Sequence, residues 1–264
     1  MRASSRSLGA VAALGILILV TSAPGDAPAG GARAAATPQQ LAAELTALDR
    51  ELRAGVDAWR AEADPPVAPP PDELIAQARR LQGTVRFLAK RPKMAKRTVR
   101  LLPGRVRRQV RHLTVAARKL RRLSSGSRKR KLKTGNPKPL AELIGHYRKA
   151  KRHHRIAPHY LAAINLVETK FGRVKSRSVA GARGPMQFIP STWRIYGRGG
   201  NIHDPHDAIL AAARLLRANG APRRYGRALY AYNPSKLYVV AVHRYAKLIA
   251  RDPHAVYVLY CWGP

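Results

Sequence analysis

The 264-residue sequence is poor in several residue types, and each shortage excludes a class of structure or site. Its single cysteine, Cys261, cannot form a disulfide within the chain, and it excludes zinc sites built from four cysteines or from two cysteines and two histidines. No run of alternating apolar and polar residues is long enough to predict a strand, and dense helical spacing predicts an all-α fold. Because 45% of the residues are hydrophobic, we expect an ordinary apolar core.

Acidic residues are scarce, and their distribution divides the chain. The sequence has 14 Asp and Glu against 50 Lys and Arg, a formal net charge of +36. Residues 74–138 contain no acidic residue at all, and Phe87 is the only aromatic residue among them. Such an excess of positive charge predicts an anionic partner. The candidates are a nucleic acid, a membrane surface and an anionic wall polymer. A solvated spacer is the alternative use of this basic segment.

The N-terminus narrows the choice of partner. Arg2 and Arg6 precede an apolar stretch at residues 8–20, and small residues around Ala27 follow, which is typical of a secretory signal. We assign residues 1–29 to this signal and expect a secreted or cell-wall location. The stretch is short of the roughly 20 residues that span a bilayer, so membrane contact is expected only if the segment stays uncleaved. Export and the lack of interleaved aromatic residues both disfavour nucleic acid.

Three further segments follow the signal. Residues 30–72 begin with a capping box at Thr37, which predicts an amphipathic helix that packs on another part of the chain, and end in a proline-rich spacer. Residues 73–138 predict two or three short basic helices, interrupted at Pro92 and Pro103, and then a flexible basic linker. Residues 139–264 predict a compact domain of about five to seven helices.

Helix boundaries in the last segment follow from local signals. Pro158 is expected to open a helix that closes at Phe171–Gly172, and Asp204 to cap a second helix. Residues 225–232 predict another helix, and Ser235 is expected to cap the last one, which would run to about Ile249.

Glu168 is the candidate catalytic residue. It lies four residues after Ile164 and seven after Leu161, on the face that these apolar side chains bury, and close to the end of its helix. An apolar setting and the negative end of the helix dipole both raise the pKa of a carboxyl toward the range of a general acid. Taken alone, a solvated or ion-paired glutamate is the simpler interpretation.

An ordered set of motifs accompanies this glutamate. They are Glu168-Thr169, residues 178–193 (SVAGARGPMQFIPSTW), residues 204–209 (DPHDAI) and residues 231–233 (AYN). Together, over about residues 140–249, they resemble the lytic transglycosylase domain of the goose-type-lysozyme-like superfamily, and its secreted actinobacterial members in particular.

This resemblance implies a lysozyme-like α-helical fold that cleaves the glycan strands of peptidoglycan. Glu168 would protonate the β-1,4 bond between N-acetylmuramic acid and N-acetylglucosamine, and then help the muramic C6 hydroxyl to close a 1,6-anhydro ring. The positions that match the family's substrate-binding residues are Ser178, Met186, Gln187, Tyr232 and Asn233. The sequence departs from the family pattern at Thr169, where Ser is commoner, and at Pro185, where many relatives have Leu.

The residue chemistry independently favours a reaction without water. Hydrolysis of a glycoside ordinarily needs two carboxylates, and the C-terminal segment has few. Asp204 and Asp207 are accounted for as helix-capping residues, and capping also explains the neighbouring His203 and His206 better than a metal site does. We therefore expect no metal and no cofactor. The alternatives are a lysozyme-like hydrolase, with Asp204 or Asp207 positioning water, and a non-catalytic wall-binding protein.

Overall fold

A computed structural model describes residues 36–125 and 131–264, and this part of the chain is all-α, as predicted. The predicted signal at residues 1–29 and part of the predicted linker, residues 126–130, lie outside the described residues. None of the described helices combines the length and the apolar character that crossing a bilayer requires. Within the described residues the helices are α1 Pro38–Arg60, α2 Asp72–Lys90, α3 Pro92–Leu101, α4 Gly104–Ser124, α5 Leu140–His154, α6 Pro158–Thr169, α7 Pro190–Tyr196, α8 Pro205–Ala218, α9 Tyr225–Tyr232, α10 Lys236–Arg251 and α11 Ala255–Tyr260.

Helix α1 begins and packs as its sequence predicts. The Thr37 hydroxyl accepts a hydrogen bond from the Gln40 backbone N–H at 3.2 Å, and the Gln40 side chain accepts one from the Thr37 N–H at 2.8 Å. This reciprocal pair is a capping box, which satisfies two backbone donors at the helix start. The apolar face is buried throughout, at Leu41, Leu45, Leu48, Leu52, Val56 and Trp59. Packing of that face on α2 and α3 confirms its predicted use.

The basic segment forms three helices, but two of them are long. Helices α2 and α4 contain 19 and 21 residues, and only α3, with 10, is as short as expected. Proline at the start of α3 and before α4 sets the breaks between them, because proline lacks a backbone donor and favours the first turn. Between their Arg and Lys residues, α2 and α4 each keep an apolar stripe that is buried, whereas α3 buries only Ala95 and Thr98.

Helix α10 joins the two halves of the chain. Its most extensive contact with any helix is with α4, and the next is with α6, so α10 lies between the basic segment and the helix that carries Glu168. The apolar core runs without interruption from α1 to α11. The division into four segments remains a prediction, but the packed core crosses its boundary at residue 139.

The proline-rich segment between α1 and α2 folds back onto its neighbours. The Trp59 indole Nε1 donates to the Ala68 carbonyl at 3.1 Å, and Asp64 accepts hydrogen bonds from Arg60 and from the hydroxyl of Tyr257. These contacts attach the segment to α1 and α11, where the sequence suggested only a stiff spacer.

The C-terminus contains a helix that the sequence did not predict. Helix α10 runs to Arg251, and α11 follows it after a short turn. Beyond α11, the Gly263 carbonyl accepts from the Gln82 side chain at 2.9 Å and the Gly263 N–H donates back to it at 3.2 Å. Ser235 caps α10 as predicted, but α10 is not the last helix. The sequence did not predict α11, because its six residues are too few to show a clear period.

Candidate active site

Glu168 lies in the last turn of α6, a helix buried on all sides. Every residue from Leu161 to Thr169 is buried, and the Glu168 side chain is only 3% exposed. Such complete burial explains why the helix shows no polar face in its sequence. The structure thus places the candidate carboxyl in an apolar setting, as its spacing predicted.

The end of α6 differs from the prediction. The helix stops at Thr169, and Lys170, Phe171 and Gly172 all have positive φ values, of 53°, 61° and 86°. Only the glycine adopts this region without strain. The Phe171 N–H donates to the Asn165 carbonyl at 3.1 Å, which closes the helix two residues before the predicted Gly cap. Sequence signals placed the stop at Phe171–Gly172, and this was wrong because Lys170 already adopts the left-handed conformation.

Thr169 ties the end of α6 to the loop that carries the next motif. Its hydroxyl donates to the Pro185 carbonyl at 2.6 Å and accepts from the Gly172 N–H at 2.9 Å. Both bonds need only a hydroxyl, which Ser also has, so Thr at this position keeps the connection. The link fixes the loop relative to Glu168.

Tyr238, on α10, is the residue that sequence reasoning missed. Its hydroxyl donates to Glu168 Oε1 at 2.7 Å, and its side chain has no exposed surface. Among the described residues no donor binds the second carboxyl oxygen, Oε2. The signal for Tyr238 is weak in the sequence, because a tyrosine on the buried face of a helix is usually explained as core.

A chain of contacts joins Glu168 to two predicted site residues. The rings of Tyr238 and Tyr232 are parallel, with centroids 6.3 Å apart, and the Tyr232 hydroxyl donates to the Met186 carbonyl at 2.5 Å. Tyr232 and Met186 are both buried. The structure therefore brings these two residues together with the carboxyl through Tyr238.

The loop at residues 178–188 is held in a strained conformation. Arg183 and Phe188 exchange two backbone hydrogen bonds, at 2.8 and 2.9 Å. Between them, Gly184 has a φ of 73°, and a Cβ there would lie 1.8 Å from the Ile202 carbonyl oxygen, so only glycine fits. Gln187 has a φ of 49°, which costs about 1–2 kcal/mol for a residue with a Cβ. Strain of this kind is concentrated at functional sites.

Gln187 and Asn233 each present a buried acceptor without a partner. Gln187 Nε2 donates to the Gly184 carbonyl at 3.0 Å, but Gln187 Oε1 accepts no hydrogen bond. Asn233 Oδ1 is likewise buried and without a partner among the described residues. A buried unsatisfied acceptor costs about 1–3 kcal/mol, so these atoms are suited to accept N–H or O–H groups from a ligand.

Ser178 lies at the base of the same loop and bonds only within it. Its hydroxyl accepts from the Ala182 N–H at 3.0 Å, and its backbone N–H donates to the Ala182 carbonyl at 3.0 Å. No hydrogen bond joins Ser178 to Glu168. Its predicted role in holding a sugar stays a prediction.

Burial dominates the electrostatics of the site. It raises the pKa of Glu168 to about 8, although the hydrogen bond from Tyr238 and the positive charge of Lys170 both lower it. Burial also lowers the pKa of Lys170, and Arg86 of α2 adds to this effect. A carboxyl with such a pKa is mostly protonated at neutral pH, which is the state that a general acid needs.

The start of α8 is occupied by capping contacts. Asp204 accepts from the Asp207 N–H at 3.1 Å, as predicted for an N-cap, and Asp207 Oδ2 accepts from the Asn201 N–H at 2.8 Å. The ligand atoms of Asp204, His206 and Asp207 lie within 4.8 Å of one another, close enough to hold a metal ion. His206 Nδ1 lies 3.0 Å from Asp207 Oδ1, so both carboxylates already have partners.

Comparison with known proteins gives one family. Residues 146–248 match the model of the transglycosylase SLT domain. No curated protein and no solved structure matches the chain.

Proposed function

We propose that Glu168 carries the cleavage of peptidoglycan as general acid and base. The match of residues 146–248 to the transglycosylase SLT domain supports a lytic transglycosylase of the lysozyme-like superfamily. The observation that carries this proposal is the buried carboxyl, whose pKa is raised to about 8 while Tyr238 binds only one of its oxygens.

In the proposed mechanism Glu168 first acts as an acid. Its proton passes to the oxygen of the β-1,4 bond between N-acetylmuramic acid and N-acetylglucosamine as the bond from that oxygen to the muramic C1 breaks. The Tyr238 hydroxyl keeps the carboxyl oriented and stabilises the carboxylate that forms. The Tyr232 ring, which lies parallel to that of Tyr238, and the end of α6 are both buried. Little water therefore reaches the Glu168 carboxyl.

Glu168 then acts as a base. The carboxylate takes the proton from the muramic C6 hydroxyl, whose oxygen bonds to C1 and closes the 1,6-anhydro ring. The atoms balance without water, so the product is lighter than a hydrolysed one by one water. The capping contacts of Asp204 and Asp207 support this route over hydrolysis, because they engage the carboxylates that would otherwise position water.

Four polar positions of the site are proposed to hold the sugars. The unpartnered Gln187 Oε1 and Asn233 Oδ1 are suited to accept the acetamido N–H and hydroxyl groups. Ser178 and the Met186 backbone are the other two positions. Tyr232, the fifth residue of the predicted set, supports them through the hydrogen bond from its hydroxyl to the Met186 carbonyl. No metal ion or cofactor takes part in these steps.

Export and wall attachment also belong to the proposal. The charged and apolar pattern of residues 1–29 and the peptidoglycan substrate both support a secreted or wall-associated enzyme. The resemblance of its motifs to those of secreted actinobacterial transglycosylases supports that type. The acid-free residues 74–138 are proposed to attach the enzyme to anionic wall polymers.

The test combines one substitution with product analysis. Glu168→Gln keeps the side-chain shape but removes the proton donor, and we expect turnover to fall by about two to four orders of magnitude. Glu142→Gln, which alters a carboxyl of α5 outside the site, should keep normal activity. Mass spectrometry of peptidoglycan digested by the parent enzyme should find anhydro ends. Reducing ends would instead establish hydrolysis, and normal activity of Glu168→Gln would remove Glu168 from the mechanism.

A further inference from the structure

A surface cavity lies where α1, α4 and α10 meet. Its volume is about 150 Å³, which is room for several water molecules, because one occupies about 30 Å³ in the liquid. Glu168 does not line it. The residues that do are Arg53, Arg105, Arg108, Gln109, His112, Lys247, Leu248, Arg251 and Asp252.

Two basic stripes face each other across this cavity. On α4 the lining residues Arg105, Arg108 and His112 follow one another at intervals of three and four, which places them on one helix face. On α10, Lys247 and Arg251 are spaced four apart in the same way. Because α4 and α10 form the most extensive helix contact in the described residues, the basic stripes lie along the junction of the two halves of the chain.

The acidic residues near the cavity do not neutralise these charges. Arg53 pairs with Asp252 at 3.2 Å, and Arg105 pairs with Asp49 at 2.5 Å. Arg108, Lys247 and Arg251 are exposed, and none of them pairs with a carboxylate in the part of the chain that the structure describes. Three positive charges therefore remain uncompensated around one opening.

Burial and the positive charges around the cavity both act on the pKa of His112. Its Nδ1 is buried and has no hydrogen-bond partner among the described residues. Burial, followed by the charges of Arg244, Arg251 and Lys247, lowers the pKa of His112 to about 4. The ring is thus neutral near pH 7, and its Nδ1 is free to bond to a ligand. Buried Gln109 adds an amide to the same lining.

Facing like charges destabilise the contact that brings them together, unless an anion lies between them. We propose that this cavity binds a phosphate group, held by Arg108, Lys247 and Arg251 at the α4–α10 junction. Guanidinium groups match the oxygens of phosphate in pairs, and a tetrahedral oxyanion offers acceptors to both helices at once. The site is separate from Glu168. It rests on the proposed wall attachment only for the source of the phosphate.

The first measurement is the melting temperature of the full chain in inorganic phosphate and in chloride at equal ionic strength. A ligand that binds only the folded state stabilises it by mass action. At a phosphate concentration ten times the Kd, the melting temperature should rise by roughly 3–6 °C above its value in chloride. An equal melting temperature in both salts would overturn the proposal.

A double substitution locates the site. R108Q/R251Q should weaken phosphate binding at least tenfold in calorimetry, and it should melt at the same or a higher temperature than the parent in chloride, because it relieves repulsion. The matched control K93Q/R97Q removes the same charge from exposed positions of α3 and should leave phosphate binding unchanged. Equal weakening in both variants would mean that phosphate responds to net charge alone, and the cavity would not be a site.

Two further binding measurements, with a polymer and with inorganic phosphate, identify the source of the phosphate. If a soluble poly(glycerol phosphate) binds the parent and loses affinity with R108Q/R251Q, the phosphate belongs to a polymer. If only inorganic phosphate does so, the cavity is a site for free phosphate. Glu168→Gln should bind both probes like the parent, so failure of the proposed reaction and failure of this site are distinguishable.

Discussion

The two ends of α10 lie in opposite electrostatic surroundings. Near its start, Tyr238 is fully buried and binds a carboxyl that is 3% exposed, among tyrosine rings and aliphatic side chains. Near its end, Lys247 and Arg251 are exposed and face the basic residues of α4. One end excludes water and keeps a carboxyl protonated, whereas the other gathers positive charge where ions can enter.

One helix thus connects the two halves of the chain through unlike contacts. Apolar packing holds α10 to α6 and α4, and the charged groups are confined to the rim of the second contact. The candidate active site and the α4–α10 junction therefore both depend on α10, although they share no charged residue.

Removing α1 to α4 tests this shared scaffold and carries the largest expected effect. A fragment of residues 131–264 lacks the helix that makes the most extensive contact with α10. Burial of each large apolar side chain contributes about 1.5–3 kcal/mol, against a total stability of about 5–15 kcal/mol. We expect the fragment to lose cooperative thermal unfolding and activity on peptidoglycan, measured by circular dichroism and by product release. A folded and fully active fragment would show that α10 needs only α6.

Tyr238→Phe tests the buried end, with an intermediate effect. A hydrogen bond to a charged group contributes about 1.5–3 kcal/mol, so we expect kcat/KM to fall roughly ten- to hundredfold. Because the Tyr238 hydroxyl lowers the pKa of Glu168, its removal should raise that pKa. The basic limb of the pH–rate profile, where Glu168 loses its proton, should then move to higher pH.

Tyr230→Phe is the matched control for this substitution. Tyr230 is 48% exposed on α9, and the same hydroxyl loss there should change neither the rate nor the pH profile. A lower rate with an unmoved basic limb would assign Tyr238 to packing alone.

The pH dependence of stability gives the smallest expected effect when it is expressed for one pH unit. The pKa of Glu168 is about 8 in the folded protein, above the ordinary value of about 4.3 in an unfolded chain. The stability that the protonated carboxyl contributes is complete below the lower value and is lost as pH rises to the higher one. Glu168→Gln has no such loss, so its melting temperature relative to the parent should increase between these pH values by up to roughly 3–5 °C for each pH unit. A difference that stays constant across this range would place the pKa of Glu168 at its ordinary value.

Local signals predicted helices better than they predicted contacts. The capping residues Thr37, Asp204 and Ser235 all begin helices as expected, and the apolar period of α1 identified the face that is buried. Such signals depend on neighbours within one or two turns, so the sequence displays them directly. The spacing of apolar residues indicates that one face of a helix is buried, but it does not indicate which other helix covers that face.

The same limit applies to the site. Burial of Glu168 followed from its spacing, and the motifs brought Met186 and Tyr232 into consideration. Tyr238 is 70 residues from Glu168, and its bond to the carboxyl depends on how α10 packs on α6. The α4–α10 junction is likewise a long-range contact, and like charges on two helices do not predict that these helices meet.

The pairing of α4 with α10 also determines the order in which the molecule can form. During synthesis α4 is complete before any of α5 to α10 exists, so its apolar stripe has no α10 to pack against until nearly the whole chain has left the ribosome. Contacts between distant segments form slowly, because the intervening chain must first be brought together. The final core therefore closes late, and an apolar surface flanked by arginines stays open to chaperones until then.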